Sequence, residues 1–273
     1  MKKLSELTAP AYAGVVREKN PRAAMTEILN CRYHGAHMID LHLSCLEEPT
    51  LENIQRIVKF SKLPILALNY NGKYDWSDAG YDTEEARVEL LLRAVEAGAA
   101  GIDMQGYTFH RPSKDGFCGE DKYSFTKANP KEVVTDEAVI AKQCELIEKV
   151  HSMGAEVLLS CHPGVFLNCE QALDLVRFLE KRNPDIIKIV IMAETEEEML
   201  ECIRTMITLK KEIKTPVSYH AGGKWGALTR VVNPALGGQI AFCVDHFTES
   251  STLGQLQLQM AVETIENLKL IMG

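Results

Sequence analysis

The stretch Ile186-Ile187-Lys188-Ile189-Val190-Ile191-Met192 carries one charged side chain inside an otherwise apolar run. A short run of β-branched residues is typical of a buried strand in a parallel sheet. Taking an ammonium group out of water is costly unless the charge is paired or neutralised. Burial favours the neutral amine, which is the nucleophile of Schiff-base enzymes. The run therefore predicts either a nucleophilic Lys188 or, on a short edge strand, a lysine whose side chain reaches out to solvent.

Strand-like and helix-like segments alternate along the rest of the chain. Eight strand–helix pairs in one series predict an α/β fold, a (β/α)8 TIM barrel, with a single domain over residues 1–273. A doubly wound open sheet is the alternative, but it usually has a GxGxxG loop after an early strand, and the sequence contains no such loop. The predicted strands are 11–16, 37–43, 64–69, 101–106, 156–161, 186–192, 216–219 and 239–244. The predicted helices are 21–33, 51–60, 83–97, 135–153, 170–181, 196–213, a short turn at 225–232, and 254–271.

Two connections are long and polar, and both follow the carboxyl end of a predicted strand. Residues 71–82 follow the third strand, and residues 107–134 follow the fourth. Long connections without secondary structure are uncommon in a compact domain unless they bind a ligand or cover a site. In a barrel the active site lies at the carboxyl ends of the strands. We therefore expect the connection at about 107–134 to be a loop on the active-site side.

The 273-residue chain has 30 basic and 38 acidic residues, a net charge of −8, which argues against general binding to nucleic acid or to an anionic membrane. No apolar stretch approaches the roughly 20 residues of a membrane span, and residues 1–7 contain no apolar signal-peptide core. The eight cysteines form no CxxC pair, which is typical of reduced thiols rather than of a zinc site. We expect a cytoplasmic protein that acts on a small molecule without a metal or another cofactor.

Polar residues at the carboxyl ends of barrel strands are the candidates for catalysis. His162 ends the strand next to that of Lys188, so the imidazole and the amine can meet. A lysine that forms an iminium with a ketone acidifies the adjacent C–H bond, and a nearby histidine can move that proton. A strand-end histidine alone is more often bonded to backbone, but beside a buried lysine we expect a catalytic pair. The other candidates at strand ends are Asp40, His42, Asn69, Asp103, Gln105 and the segments 219–230 and 248–255.

Four motifs occur in order in the second half of the chain. They are Ser160-Cys161-His162, Lys188-Ile189-Val190-Ile191-Met192, Gly-Gly-Lys-Trp-Gly-Ala-Leu-Thr-Arg at 222–230, and Ser251-Thr252-Leu253-Gly254-Gln255. They resemble the Ser-Tyr-His, Lys-Ile-Ala-Val-Met, Met-Gly-x-x-Gly-x-x-Ser-Arg and Ser-x-x-Gly-Gln motifs of type I 3-dehydroquinate dehydratases. The similarity is strongest from about residue 156 to the C-terminus.

The resemblance implies a Schiff-base lyase that removes water from a cyclic keto acid, 3-dehydroquinate, in the shikimate pathway. It implies that Lys188 forms the iminium and that His162 removes the adjacent proton and then protonates the leaving hydroxyl. Arg230 is expected to pair with the substrate carboxylate, which its planar guanidinium suits. Ser251 and Gln255 are expected to bind substrate from a closing loop; otherwise they cap and begin the last helix. Family members are often dimers, so the resemblance also implies a homodimer.

The first half of the chain departs from the family pattern on the substrate side. Asp40 and His42 stand where the family has glutamate and arginine, and Asn69 stands where it has a second arginine. Gln105 replaces the glutamate that orients the catalytic histidine, and an amide cannot stabilise an imidazolium by charge. We expect Asp40, His42 and Gln105 to contact the substrate. Two explanations remain open: compensating groups from the long connection, such as His110, Arg111 or Lys114, or a different keto acid or keto sugar as substrate.

Three other functional classes remain open on the sequence alone. A Schiff-base aldolase also uses a barrel-strand lysine and often binds a phosphate after strands seven and eight, where Gly222-Gly223 and Lys224 could serve. A metal-dependent isomerase or hydrolase would draw its ligands from strand ends, although Lys188 would be unfavourable beside the ion. A non-enzymatic binding protein is the third class. The candidate metal ligands are Asp40, His42, His162 and His220.

Overall fold

The structure, a computed structural model, describes residues 3–70, 83–110, 132–249, 251 and 254–273. In these parts of the chain, strands and helices alternate from β1 to β8, and a two-residue strand precedes the last helix. The strands are β1 Ala11–Val16, β2 Met38–His42, β3 Ile65–Leu68, β4 Gly101–Gln105, β5 Glu156–Cys161, β6 Ile186–Met192, β7 Val217–Gly222, β8 Ile240–Val244 and β9 Leu256–Gln257. The helices are α1 Pro21–Tyr33, α2 Leu51–Phe60, α3 Glu84–Glu96, α4 Glu137–Ser152, α5 Cys169–Glu180, α6 Glu196–Glu212, α7 Thr229–Ala235 and α8 Leu258–Met272.

The predicted order of strands and helices is confirmed, and the main error lies near the C-terminus. The sequence predicted one helix over 254–271, but α8 begins only at Leu258. Gly254 has a φ of +78°, a left-handed conformation that interrupts a helix. Gln257 caps α8, because its side chain accepts a hydrogen bond from the backbone N–H of Met260. The short strand Leu256–Gln257, which ends at this cap, pairs with β8 instead.

All strand pairs in the sheet are parallel, and the strand order is β7-β6-β5-β4-β3-β2-β1-β8-β9. The two strands β7 and β8 approach each other although they form no ladder in the described residues. The backbone N–H of Gln239 donates to the carbonyl of Val217 at 2.9 Å. The hydroxyl of Ser218 accepts from the N–H of Ile240 at 2.9 Å. The sheet is therefore strongly curled, which brings β7 and β8 into contact.

Alternation along each strand divides the core into two clusters. On β6, Ile187, Ile189 and Ile191 face the surrounding helices and belong to the larger cluster, whereas Ile186 belongs to the cluster inside the curl. Lys188 has the same parity as Ile186, so it also points inward. Leu4 and Leu7, which precede β1, pack into the inner cluster as well. The inner face of the sheet is thus apolar near the amino ends of the strands and polar near their carboxyl ends.

The described helices include none that is both long and apolar enough to cross a bilayer. Helix ends follow ordinary capping chemistry. Thr195 and Glu198 form the reciprocal capping box that the sequence indicates at the start of α6. These caps satisfy backbone groups at the helix ends without using the polar residues at the carboxyl ends of the strands. Those residues are consequently available for a functional site.

We predict that Ser218→Ala weakens the contact between β7 and β8. The substitution leaves the buried N–H of Ile240 without its acceptor, which typically costs about 1–3 kcal/mol. Chemical denaturation should show this loss in the free energy of unfolding. Ser152→Ala, at an exposed helix position, is the matched control and should change it by less than about 0.5 kcal/mol. Equal effects of the two variants would show that the Ser218 bond does not hold the strands together.

Candidate active site

A cavity of about 490 Å³ opens at the carboxyl ends of the strands. Pockets of this size suit a small organic ligand. Six residues that the sequence predicted as site residues line this cavity: Lys188, His162, Arg230, Asp40, His42 and Gln255. Four polar side chains that no motif in the sequence predicted as site residues for keto-acid chemistry also line it: Arg17, Tyr70, Glu132 and His220.

Lys188 is buried, as the sequence predicted, and it is paired. Its exposed fraction is 7%, and its Nζ atom lies 3.4 Å from Oδ2 of Asp103, which is fully buried on β4. The same Nζ lies 4.4 Å from the centroid of the Phe242 ring, a distance at which a cation is attracted to the ring face. The carboxylate and the ring together offset the cost of removing the amine from water.

The carboxylate of Asp103 is itself held by neighbours. Its Oδ1 accepts from the Ser160 hydroxyl at 2.5 Å and from the Gln105 amide at 3.2 Å. Gln105 in turn accepts a 2.6 Å hydrogen bond from Arg87, which is fully buried on α3 and paired with Glu84. A continuous polar network thus runs from Arg87 to the amine of Lys188. Because each group is constrained by the next, the lysine is fixed on the cavity wall.

Gln105 occupies a different place from the one expected. The sequence predicted that it contacts the substrate or holds the catalytic histidine. Its side chain has no exposed surface, is not part of the cavity wall, and is used by Arg87 and by Asp103. The physical reason is that an amide can donate and accept at once, so it links a buried guanidinium to a buried carboxylate. In this structure Gln105 supports the Lys188 network.

The carboxylate beside His162 comes from Glu132. One oxygen of Glu132, Oε2, accepts from the backbone N–H of His162 at 3.0 Å and lies 3.2 Å from Nδ1 of its ring. A carboxylate only accepts, so Nδ1 carries the proton in this contact and Nε2 is left as the proton acceptor. Glu132 is 8% exposed and lines the cavity. It supplies the charge that Gln105 cannot.

Contacts with the core and with Gly106 hold the segment that carries Glu132 in place. Val133 and Val134 are buried in the core, and the carbonyl of Val134 accepts from Arg182 at 3.0 Å. A Cβ atom on Gly106 would collide with the Glu132 carbonyl, so glycine is required for this close approach. No motif marks Glu132, and in the sequence it lies 30 residues from His162, so sequence reasoning missed it. Only the polarity of the 107–134 connection hinted at such a group.

Arg230 lines the cavity with part of its guanidinium unsatisfied. Within the described residues its Nε atom is buried and has no hydrogen-bond partner. Burial lowers the pKa of Arg230 to about 10, which measures how poorly the charge is solvated. Thr229 fixes the turn before it: its hydroxyl accepts from Ala221 N–H at 2.8 Å and donates to the Gly226 carbonyl at 2.7 Å. An anionic group on a ligand would relieve this unpaired cation.

The opposite wall carries Asp40 and His42, both 2% exposed. Nε2 of His42 lies 3.5 Å from Oδ2 of Asp40, and Oδ1 of Asp40 is a buried atom without a hydrogen-bond partner in the described chain. Tyr70 lies between the two imidazoles, with ring centroids 6.1 Å from His42 and 6.3 Å from His162. Arg17, directly after β1, adds a cation on this cavity. The wall therefore offers acceptors and donors to ligand hydroxyls.

Gln255 and Ser251 differ in where they lie. Gln255 is 8% exposed and lines the cavity. Ser251 does not line it; its hydroxyl accepts from the N–H of Thr248 at 2.9 Å and closes a turn. Its contact with substrate stays a prediction. Of the compensating groups proposed for the long connection, Arg111 and Lys114 lie outside the described residues, and His110 is not on the cavity wall.

The metal-ligand hypothesis is not supported by the positions of its residues. Asp40, His42, His162 and His220 all line the cavity. No three of their donor atoms come within 4.8 Å of one another in the described chain, where the group that meets this criterion is Glu27, Asp245 and His246. That group lies outside the cavity wall. The cavity is better suited to an organic ligand with an anionic group.

Comparison with known proteins identifies the family. The family model for type I 3-dehydroquinase matches residues 126–271, more than half of the chain. The protein belongs to this family. A curated 3-dehydroquinate dehydratase from Desulfotalea psychrophila is 22% identical over 228 residues, which cover 83% of this chain and 85% of the relative. The low identity agrees with the altered motifs in the first half of the chain.

Solved structures of type I 3-dehydroquinase relatives share the fold. The 3-dehydroquinate dehydratase of Geobacillus kaustophilus superposes with a TM-score of 0.74 at 15% identity, covering 99% of this chain and 95% of the other. The type I enzyme of Clostridium difficile gives a TM-score of 0.75 at 13% identity, covering 97% and 94%. The similarity extends over nearly the whole chain, including the half that the family model does not match.

We predict that Gly106→Ala displaces the segment that carries Glu132. The added methyl group meets a backbone carbonyl that is tied to buried neighbours, and such overpacking typically costs about 1–3 kcal/mol of unfolding free energy. Gly222→Ala is the control, because its Cβ would meet the flexible Met192 side chain at 3.4 Å and the Ile191 carbonyl only at an ordinary contact distance of 3.9 Å. Denaturation of both variants tests this difference. A Gly106→Ala protein as stable as Gly222→Ala would contradict the close approach of the two segments.

Proposed function

We propose that the protein is a type I 3-dehydroquinate dehydratase that converts 3-dehydroquinate into 3-dehydroshikimate and water. The observation that carries the proposal is a buried Lys188 and a nearby His162, each paired with its own carboxylate, on the wall of one cavity. Membership of the type I 3-dehydroquinase family supports this chemistry. A Schiff-base aldolase shares the lysine, but the family match and the second carboxylate–histidine pair favour elimination.

Lys188 is the proposed nucleophile. Its amine attacks the ketone carbon, a C–N bond forms, and loss of the former carbonyl oxygen as water gives an iminium. Asp103, 3.4 Å from Nζ, is the group that can accept the ammonium proton before attack and return it to the departing oxygen. It is then a carboxylate again and stabilises the iminium charge. The iminium withdraws electrons from the adjacent carbon and makes its C–H bond acidic. This is the electronic reason for a buried lysine at this position.

His162 is the proposed acid–base catalyst. Nε2 takes the proton from the carbon next to the iminium, and the electron pair of that C–H bond forms an enamine. The imidazolium, stabilised by the carboxylate of Glu132 at 3.2 Å, then gives its proton to the leaving hydroxyl. The C–O bond breaks, water departs, and a conjugated iminium remains. Hydrolysis by a water molecule releases the product and regenerates the amine of Lys188.

Arg230 and the opposite wall are the proposed recognition groups. Within the described residues the Nε atom of Arg230 has no hydrogen-bond partner, so its guanidinium suits the carboxylate of the substrate. In the described part of the chain Oδ1 of Asp40 has no hydrogen-bond partner and suits a ring hydroxyl, and His42, Arg17 and Gln255 complete the polar lining. Arg17 is a cation from β1 in a chain that lacks the arginines usual on strands two and three. Asp40, His42, Gln255 and Arg230 are therefore proposed substrate contacts.

We further propose that the curled sheet is a closed (β/α)8 barrel in a single domain over residues 1–273. The hydrogen bonds between the β7 and β8 edges support closure. Contact between Gly106 and Glu132 brings together the two ends of the connection at about 107–134, which supports a loop on the active-site side. The homodimer and the cytoplasmic setting stay predictions.

Borohydride trapping tests the iminium. Reduction in the presence of 3-dehydroquinate and a metal chelator should add the mass of a reduced keto-acid adduct to Lys188, because the imine forms there without a metal. Mass spectrometry of peptides locates the adduct. Lys188→Ala should carry none, and Lys224→Ala, which removes an exposed lysine, should be modified as the wild type is. An adduct that persists in Lys188→Ala would refute the assignment.

Removal of the base should separate imine formation from elimination. We expect His162→Ala to keep trapping at Lys188 and to lose about 10²–10⁴-fold in kcat, the usual contribution of a positioned base. Glu132→Gln should lose a smaller amount, at least about tenfold, equivalent to roughly 1.4 kcal/mol of transition-state stabilisation, because the amide cannot stabilise the imidazolium by charge. Steady-state kinetics measure both losses.

The matched control for the second variant is Glu137→Gln, which removes an exposed carboxylate five residues away. It should leave kcat unchanged. If Glu132→Gln keeps wild-type kcat, Glu132 does not support His162, and if His162→Ala keeps it, His162 is not the base.

A further inference from the structure

His220 is a third imidazole on the cavity wall, besides those of His42 and His162, and the roles above leave it unused. It lies on β7, and its register partner on β6 is Val190. Lys188 pairs with Ser218, two residues nearer the amino ends of the strands. Residues two apart on a strand face the same side, so the His220 side chain points into the curl. It lies nearer the carboxyl ends of the strands than Lys188 does. It lines the cavity together with Lys188, His162 and Arg230.

The side chain of His220 is nearly buried, and within the described residues its ring has no hydrogen-bond partner. Its exposed fraction is 7%, and nothing in the described part of the chain hydrogen-bonds to its ring. The ring nitrogens are not among the buried atoms that lack a partner in the described residues, so they face the cavity, where their hydrogen-bond partner is missing. The cavity is the one side from which a bound ligand can supply that partner. The geometry therefore points to a ligand contact.

The ring is neutral when the cavity is empty. Burial, followed by the nearby charges of Arg230, Lys188 and His162, holds the pKa of His220 well below its ordinary value. A neutral imidazole has one N–H donor and one acceptor nitrogen. A hydroxyl group, which donates and accepts, satisfies both types of atom, whereas a carboxylate or an ammonium suits only one. The ligand group that fits His220 is an alcohol.

The proposed substrate places an alcohol in this region. In 3-dehydroquinate the carboxylate and the leaving hydroxyl share one carbon, and the ketone carbon is two bonds away. If Arg230 holds the carboxylate and Lys188 holds the former ketone carbon, the leaving hydroxyl lies between these two anchors. His220 interacts electrostatically with both of them. We infer that His220 hydrogen-bonds the leaving hydroxyl and orients it toward the proton of His162.

This role rests on the proposed function and assigns His220 no proton transfer. A neutral imidazole that gave up its N–H proton would become an imidazolate, so His162 remains the proton donor. His220 acts by holding the oxygen while the C–O bond breaks. Because 3-dehydroshikimate lacks the leaving hydroxyl, the contact is made with the substrate and not with the product. That difference provides a direct test.

The test compares His220→Leu with His220→Gln, a variant that keeps a donor and an acceptor. We expect His220→Leu to lower kcat/KM for 3-dehydroquinate by about 2- to 13-fold, the range for one neutral hydrogen bond, and His220→Gln to recover most of it. Borohydride trapping of 3-dehydroshikimate at Lys188 should stay within about twofold of wild type in both variants. Steady-state kinetics and mass spectrometry give the two readouts.

Three other results would overturn the inference. Equal loss of turnover and of product trapping in His220→Leu would mean a structural role. Unchanged turnover would mean that the hydroxyl does not reach His220. A wild-type protein that neither converts 3-dehydroquinate nor traps either keto acid would refute the proposed function, and the inference would fail with it; the first two results leave the proposed function intact.

Discussion

The ion pair between Lys188 and Asp103 is the constraint on which the rest of the site depends. Both side chains are nearly or fully inaccessible, and the two charges lie 3.4 Å apart. Removing one partner of such a pair leaves an uncompensated buried charge, which typically costs about 3–5 kcal/mol. The network of Ser160, Gln105 and Arg87 around Asp103 satisfies the remaining hydrogen-bonding capacity. A reactive amine can therefore be kept inside a curled sheet that is apolar near the amino ends of its strands.

The carboxylate beside His162 comes from a different element than in the family pattern. Gln105 is committed to the Lys188 network, so the charge beside His162 comes from Glu132, at the end of a long connection. Arg17 likewise adds a cation from β1 where strands two and three have none. The protein is a divergent member of the type I 3-dehydroquinase family, and Glu132 and Arg17 bring a carboxylate and a cation to its cavity from other elements.

The sequence predicts the local patterns well and the long-range contacts poorly. The inward direction of Lys188 follows from alternation along β6, and the bounds of β1, β5 and β6 follow from apolar runs. Glu132 could not be predicted, because its position depends on a backbone contact with Gly106 that no periodicity encodes. The expected roles of Gln105 and Ser251 rested on motif position. Gln105 is engaged by Arg87 away from the cavity wall, and the contact of Ser251 with substrate stays a prediction.

Turnover of 3-dehydroquinate by the purified wild-type protein is the most direct test of elimination through a Schiff base at Lys188. The ultraviolet absorbance of the conjugated enone in the product increases as water is eliminated, so the reaction can be followed continuously. Elimination through a Schiff base at Lys188 predicts a steady increase that depends on protein concentration, persists in the presence of a chelator and is absent with Lys188→Met. No increase with the folded wild-type protein, or an equal rate with Lys188→Met, would contradict it.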